Sequence, residues 1–240
     1  VAVTVGSSGV VFAHSEQPLR DPRGRVHTFC HAVPGAWHVM GVTQGAGLSL
    51  RWLRDTFFPA ADYDTLTAMA LEVPSGSEGL LFLPYLMGER TPHLDANARG
   101  VFCGLTAAHK DRHMVRAVLE GVAFSLRDSL DVLLHMGVPT DEIRMAGGGA
   151  RSDLWCQIHA DVLGRDVLTL SAAEGPAYGA ALLAGVGLGA WPSVQQACEQ
   201  TVSIAARTTP DEIDVERYRK QHGLYADLYR RLRDFFPALS

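Results

Sequence analysis

The chain has 240 residues, 47 % of them apolar and 20 % charged, with a net charge of −5. That balance describes a globular chain able to bury a sizeable core, and it offers no broad basic face for nucleic acid. The Arg-containing tail from 217 to 233 is interleaved with Asp and aromatic residues, and no apolar run reaches the ~18–20 residues of a membrane helix.

Residues 1–5 alternate and are rich in Val; Gly6-Ser7-Ser8-Gly9 follows, then the apolar run 10–13. Two short strands around a Gly/Ser turn predict a hairpin. Asp21-Pro22-Arg23-Gly24 is a second turn. Residues 37–40 form a further strand, 45–57 a helix ended by Pro59, and 62–71 another helix. After the loop Pro74-Ser75-Gly76-Ser77, residues 80–83 make a short apolar strand running into Pro84. The stretch 88–104 is irregular and rich in Gly, Pro, Asp and Asn, a pattern often kept for function.

The clearest helix is 109–136, where Met114, Val118, Val122, Leu126, Leu130 and Leu133 recur at helical spacing and Gly137 and Pro139 stop it. Within it Glu120 reads as a solvated residue with no catalytic role. A strand at 143–146, a loop Gly147-Gly148-Gly149 and a helix at 153–163 follow, then a strand at 167–170, a small-residue helix at 176–186 and an amphipathic terminal helix at 211–236. Hairpin first, then alternating helix and strand, predicts a mixed α/β sheet with helices on both faces.

Three stretches could carry chemistry. Residues 143–153 read strand, glycine loop, helix start, and such a loop lets a phosphate approach free backbone N–H groups; a structural turn would use the same residues. The Rossmann fingerprint fails because Ser152 stands where a third glycine is needed, and Gly-Lys-Ser/Thr occurs nowhere. The Gly6–Gly9 turn offers two hydroxyls to a phosphate, or is an ordinary hairpin turn. Gly88-Glu89-Arg90-Thr91-Pro92-His93-Leu94-Asp95 concentrates charge in a loop, as a site rim or a salt-bridged structural loop would. His27, Cys30 and His31 lack a fourth partner at a metal-site spacing, so no metal ligand is assigned. No Gly-x-Ser-x-Gly elbow is present. The four cysteines, Cys30, Cys103, Cys156 and Cys198, form no CxxC pair and read as reduced cytoplasmic thiols. The chain opens on Val1 in a β-like run and reads as a segment of a longer polypeptide.

Gly100-Val101-Phe102-Cys103-Gly104-Leu105, followed after seven residues by His113-Met114-Val115-Arg116-Ala117-Val118-Leu119-Glu120, resembles the second signature of the FGGY carbohydrate kinases. Gly88–His93 resembles the Gly-Glu-Arg-Thr-Pro segment of the xylulokinases in that family. Gly147–Ser152 with Trp155 and Gln157 resembles their adenosine loop, and Glu174–Ala181 the helix start beyond it. The stretches 27–31 and 37–41 are similar as well, and the likeness thins after about Thr201.

The resemblance implies a ribonuclease H-like domain of the actin and hexokinase superfamily, one of two in an enzyme that phosphorylates a sugar with ATP and Mg²⁺. For xylulokinases the reaction is D-xylulose to D-xylulose 5-phosphate. It implies nucleotide contacts at Ser7 and Ser8, at Gly88, at Gly148, Gly149 and Ala150, and at Ser152 and Asp153. The sugar site and the catalytic Asp are expected in an N-terminal domain upstream of Val1, so the chain alone is expected to be inactive. Dimerisation through this half is implied too. A kinase for gluconate or another pentulose, and a non-catalytic nucleotide-binding module, stay open.

Overall fold

The computed structural model describes residues 1–171 and 175–239. Strands β1 (Ala2–Val5), β2 (Gly9–Ser15), β3 (His27–Cys30) and β4 (Trp37–Thr43) come first, followed by α1 (Gly47–Phe57) and α2 (Tyr63–Leu71). A two-stranded ribbon of β5 (Leu81–Leu83) and β6 (Val101–Cys103) precedes the long α3 (Asp111–His135). Then come β7 (Ile143–Gly147), α4 (Asp153–Leu163), β8 (Val167–Leu170), α5 (Gly175–Gly187), α6 (Val194–Thr201), β9 (Ile204–Thr208) and α7 (Glu212–Leu232).

The main sheet has the order β3-β4-β2-β1-β7-β8-β9. β1 pairs antiparallel with β2, from Ala2 opposite Phe12 to Val5 opposite Gly9. On its other side β1 runs parallel to β7, with Val5 opposite Gly147. β8 is parallel to β7 and β9 antiparallel to β8, so the sheet is mixed. Alternation along the strands sends Val3, Val5, Val11, Ala13, Val39, Ile143, Met145 and Val167 into one core. α3 and α4 pack over that face. Leu168, on the opposite face, is fully buried too.

α3 lies at the centre, between the sheet, α1, α2, α4 and α7, and so buries more than its apolar stripe. Arg116 and Glu120 are 6 % and 1 % exposed. Glu120 is therefore not solvated, against the sequence reading. Its Oε1 accepts from Arg116 Nε at 2.7 Å, from the Gly76 amide at 2.9 Å and from the Tyr218 hydroxyl at 2.7 Å, and its Oε2 from Ser77 Oγ at 2.8 Å. The network satisfies both buried charges and ties α3 to α7 and to the loop before β5.

The caps follow from side-chain chemistry. Asp62 accepts from the Thr65 amide to start α2, Ser152 from the Trp155 amide to start α4, and Asp211 from the Ile213 and Asp214 amides to start α7. Gly164 closes α4 in the left-handed conformation. Strands β3, β6 and β9 and helix α6 are absent from the sequence reading. Glu174, part of the expected helix start, lies outside the described residues. No helix among the described residues is long and apolar enough to cross a membrane.

Candidate functional site

β1 and β7 are neighbouring parallel strands, and their carboxyl ends stop side by side at Val5 and Gly147. From there the chain leaves β1 for the antiparallel hairpin and leaves β7 for α4 and β8. Open α/β sheets place ligands at this kind of divide, beyond the carboxyl ends of the strands. A cavity of about 720 Å³ opens there. The Gly6–Ser7 turn and Gly148, Gly149, Arg151 and Ser152 line one side, and Gly47, Leu50 and Arg51 of α1 with Asp62, Tyr63, Asp64 and Thr67 around α2 line the other.

The floor is apolar. Val5, Leu50 and Trp155 are almost fully buried and face the cavity. Trp155 is fixed by its Nε1 donating to the Leu119 carbonyl at 3.0 Å. Gly148–Arg151 form a single 3-10 turn that leads through Ser152 into α4. The first amides of a helix lack intrahelical acceptors and attract anions. An apolar slot bounded by glycine backbone, a hydroxyl and a helix start suits a flat heteroaromatic ring carrying a phosphorylated tail.

Backbone contacts set the Gly6–Ser7 turn. The Ser7 carbonyl accepts from the Ala46 and Leu48 amides at 3.1 and 3.0 Å, and the Gly6 carbonyl from the Gly47 amide at 2.7 Å. At that crossing a Cβ on Gly47 would sit 2.6 Å from the Gly6 oxygen, so only glycine fits. Ser7 itself is exposed. On the far wall, Arg54 lies 4.4 Å above the Tyr63 ring. Hydrogen bonds from Thr65 hold the Asp62 carboxyl below its ordinary range.

Of the residues expected at a nucleotide site, Ser7, Gly148, Gly149 and Ser152 line this one cavity; Ser8, Gly88, Ala150 and Asp153 are not among its described lining residues. Gly88 instead caps a turn, its amide donating to the Tyr85 carbonyl at 3.2 Å. The rest of the 88–95 loop folds inward rather than forming a rim. Glu89 is 3 % exposed, and burial pushes its pKa up to about 7 although the Gln44 and Arg90 amides and Ser125 donate to it. His93 stacks on Tyr229 with ring centres 3.5 Å apart, and burial lowers its pKa to about 4.

Sequence reasoning missed the α1–α2 wall. Arg51, Tyr63, Asp64 and Thr67 belong to no motif, and only the folding of two helices back over the glycine loops brings them to the cavity. A usable signal was the pair of helices broken at Pro59 directly after the Gly45-Ala46-Gly47 stretch.

Residues 1–188 match the model of the FGGY family of carbohydrate kinases, C-terminal domain. The chain is 38 % identical over 237 residues to the xylulose kinase of Bacillus subtilis (strain 168), covering 99 % of this chain and 48 % of that protein. It is 34 % identical over 252 residues to the gluconokinase of the same organism, covering 100 % and 48 %. The crystal structure of ligand-bound xylulose kinase from Lactobacillus acidophilus superposes with a TM-score of 0.92 at 30 % identity, over 100 % of this chain and 48 % of that one. The chain thus spans about half the length of the relatives it matches.

Proposed function

The chain belongs to the FGGY family of carbohydrate kinases, and from that premise we propose that it is the nucleotide-holding half of an ATP-dependent kinase that converts D-xylulose to D-xylulose 5-phosphate. The observation that carries the reading is the cavity between the β1 turn and the β7 loop, where an apolar floor meets glycine backbone and the Ser7 hydroxyl. In this reading Val5, Leu50 and Trp155 seat the base. Gly148, Gly149 and the α4 start follow the nucleoside, and Ser7 donates to the phosphates. Ser8, Gly88, Ala150 and Asp153 then act as neighbours that shape these loops.

Phosphoryl transfer needs positioning and charge neutralisation more than covalent chemistry from the protein. Mg²⁺ supplies the charge neutralisation when bound. Among the described residues no group of three His, Cys, Asp or Glu is arranged to hold a metal ion; the fit is to an ion carried on phosphate oxygens, as Mg²⁺ commonly is. The sugar and the base that accepts its hydroxyl proton belong, in this proposal, to a second domain preceding Val1, and closure of the two domains excludes water. The enzyme is cytoplasmic in this reading.

A gluconate-directed reading has its own support in the 34 % identity to a gluconokinase along the whole chain. Coupled assays of the complete polypeptide with D-xylulose, L-ribulose, gluconate and glycerol separate the two. Preference for D-xylulose by kcat/KM is expected. Turnover of gluconate without D-xylulose would replace the sugar and leave the nucleotide half of the proposal standing. No turnover with any of the four, by a polypeptide that binds ATP, would favour the non-catalytic module.

A further inference from the structure

Glu89 lies outside the cavity and touches nothing in it, yet it is built into the support of the phosphate turn. β4 makes its last pairing with β2 at Thr43, opposite Gly9. One residue further on, the Gln44 amide donates to Glu89 Oε1 at 2.9 Å. The same oxygen accepts from the Arg90 amide at 2.7 Å, and Oε2 accepts from Ser125 Oγ of α3 at 3.3 Å.

Thr91 continues the lacing. Its amide donates to the Val42 carbonyl at 2.9 Å, its Oγ1 accepts from the Val42 amide at 3.1 Å, and the same hydroxyl donates to the Arg25 carbonyl at 2.7 Å. Residues 89–91 thus fasten the end of β4 where its sheet partner runs out. Two residues after Gln44, the Ala46 amide grips the Ser7 carbonyl, and Gly47 and Leu48 follow on Gly6 and Ser7. The tolerance at that crossing is small, because the Gly47 α-carbon side already lies against the Gly6 oxygen.

A buried carboxylate is costly unless its oxygens are occupied. Here all three described hydrogen-bond partners are donors, the arrangement an acceptor-only side chain satisfies. We propose that Glu89 is the positioning residue of the phosphate turn: by fixing Gln44 against α3 it sets where residues 46–48 hold Gly6 and Ser7, and so sets the geometry offered to the phosphates rather than to the base. This inference rests on the nucleotide reading of the cavity.

The test compares ADP with adenosine, both titrated calorimetrically in Mg²⁺ buffer into wild type, Glu89→Ala, Glu89→Gln and Thr91→Val, each checked by thermal melting. The inference expects Glu89→Ala to weaken ADP at least ten-fold and adenosine less than two-fold. Glu89→Gln, which keeps an oxygen for the Gln44 amide, should restore ADP affinity to within about three-fold of wild type. Thr91→Val, which retains shape and loses two hydrogen bonds, should weaken ADP three-fold or more with adenosine unchanged; it carries the test alone if Glu89→Ala does not fold. ADP affinity unchanged in the folded variants, or ADP and adenosine weakened in equal proportion, overturns the inference. A wild-type chain that binds neither ligand overturns the nucleotide reading itself and this inference with it.

Discussion

Two adjacent glycines in the β7 loop should respond in opposite ways to the same substitution, Gly→Val. At Gly148 a Cβ would meet only the Val5 oxygen, at 4.0 Å. The fold therefore has room for the branch, and the stability change should stay within about 0.5 kcal/mol. The branch would stand in the cavity that Gly148 lines. The nucleoside that follows this loop is then pushed off it, leaving one or two buried polar groups unpaired at ~1–3 kcal/mol each. At about 1.4 kcal/mol per decade, affinity should fall about ten- to a hundred-fold or more. At Gly149 the same Cβ would sit 2.7 Å from both Cβ and Cγ1 of Val5 and 3.2 Å from Trp155. That is overpacking of the core, costing ~1–3 kcal/mol, which lowers Tm by about 2–4 °C per kcal/mol in a chain of this size. The assay is paired: ADP titration by calorimetry and a melting curve on each variant. Gly148→Val that melts like wild type and binds ADP as tightly would refute the placement of the site. Gly149→Val that melts like wild type would refute the packing argument.

Ser7→Ala removes an exposed hydroxyl while leaving the carbonyl that Ala46 and Leu48 hold; Tm should not move and ADP should bind about ten-fold more weakly, so equal affinity by calorimetry would remove Ser7 from the phosphate contacts. Glu120→Ala strands the buried Arg116 charge and three further donors; chemical denaturation should show a loss of about 3–5 kcal/mol, and a loss under 1 kcal/mol would contradict the network's role. His159 is completely buried, its Nε2 has no partner among the described residues, and burial lowers its pKa to about 4 from an ordinary 6.5. The unfolded chain therefore takes up a proton first: the stability is fully present above pH 6.5 and is lost as pH falls from 6.5 towards 4, by about 3 kcal/mol in total. Urea titrations at pH 7 and pH 5 should show a smaller drop for His159→Leu than for wild type, and equal drops would contradict a neutral buried imidazole. Glu89 works in the opposite sense: its raised pKa favours the folded state below 4.5 and that contribution fades as pH rises through about 7. Glu89→Gln should accordingly gain stability relative to wild type between pH 5 and pH 8, and a constant difference would mean that the carboxyl titrates normally.

What could be read from the residues divides along physical lines. The hairpin, α3 and the strand–loop–helix at 143–163 were legible because period and punctuation agree there: alternating Val in β1, a heptad-like stripe in α3, glycines at the turns. β9 was not, since Ile204–Thr208 is exposed almost throughout and lacks alternation. β3 was missed because His27–Cys30 is a four-residue edge strand that, among the described residues, pairs with β4 alone. α6 has eight residues and a single buried one, Ala197. In the site, glycine and hydroxyl positions were legible as local chemistry. The α1–α2 wall was not, because Arg51 and Asp64 acquire their place only through packing. Glu120 misled for the same reason: a carboxylate in a sequence reads as solvated until the donors that surround it are known.

The most direct test of the account is calorimetric titration of ADP, then ATP, in Mg²⁺ buffer into the wild-type chain. Saturable binding at a single site, lost in Gly148→Val with no change in melting, is the predicted result. A folded wild-type chain that releases no heat, and shows no rise in Tm at millimolar nucleotide, would contradict the claim that the β1–β7 cavity is a nucleotide site.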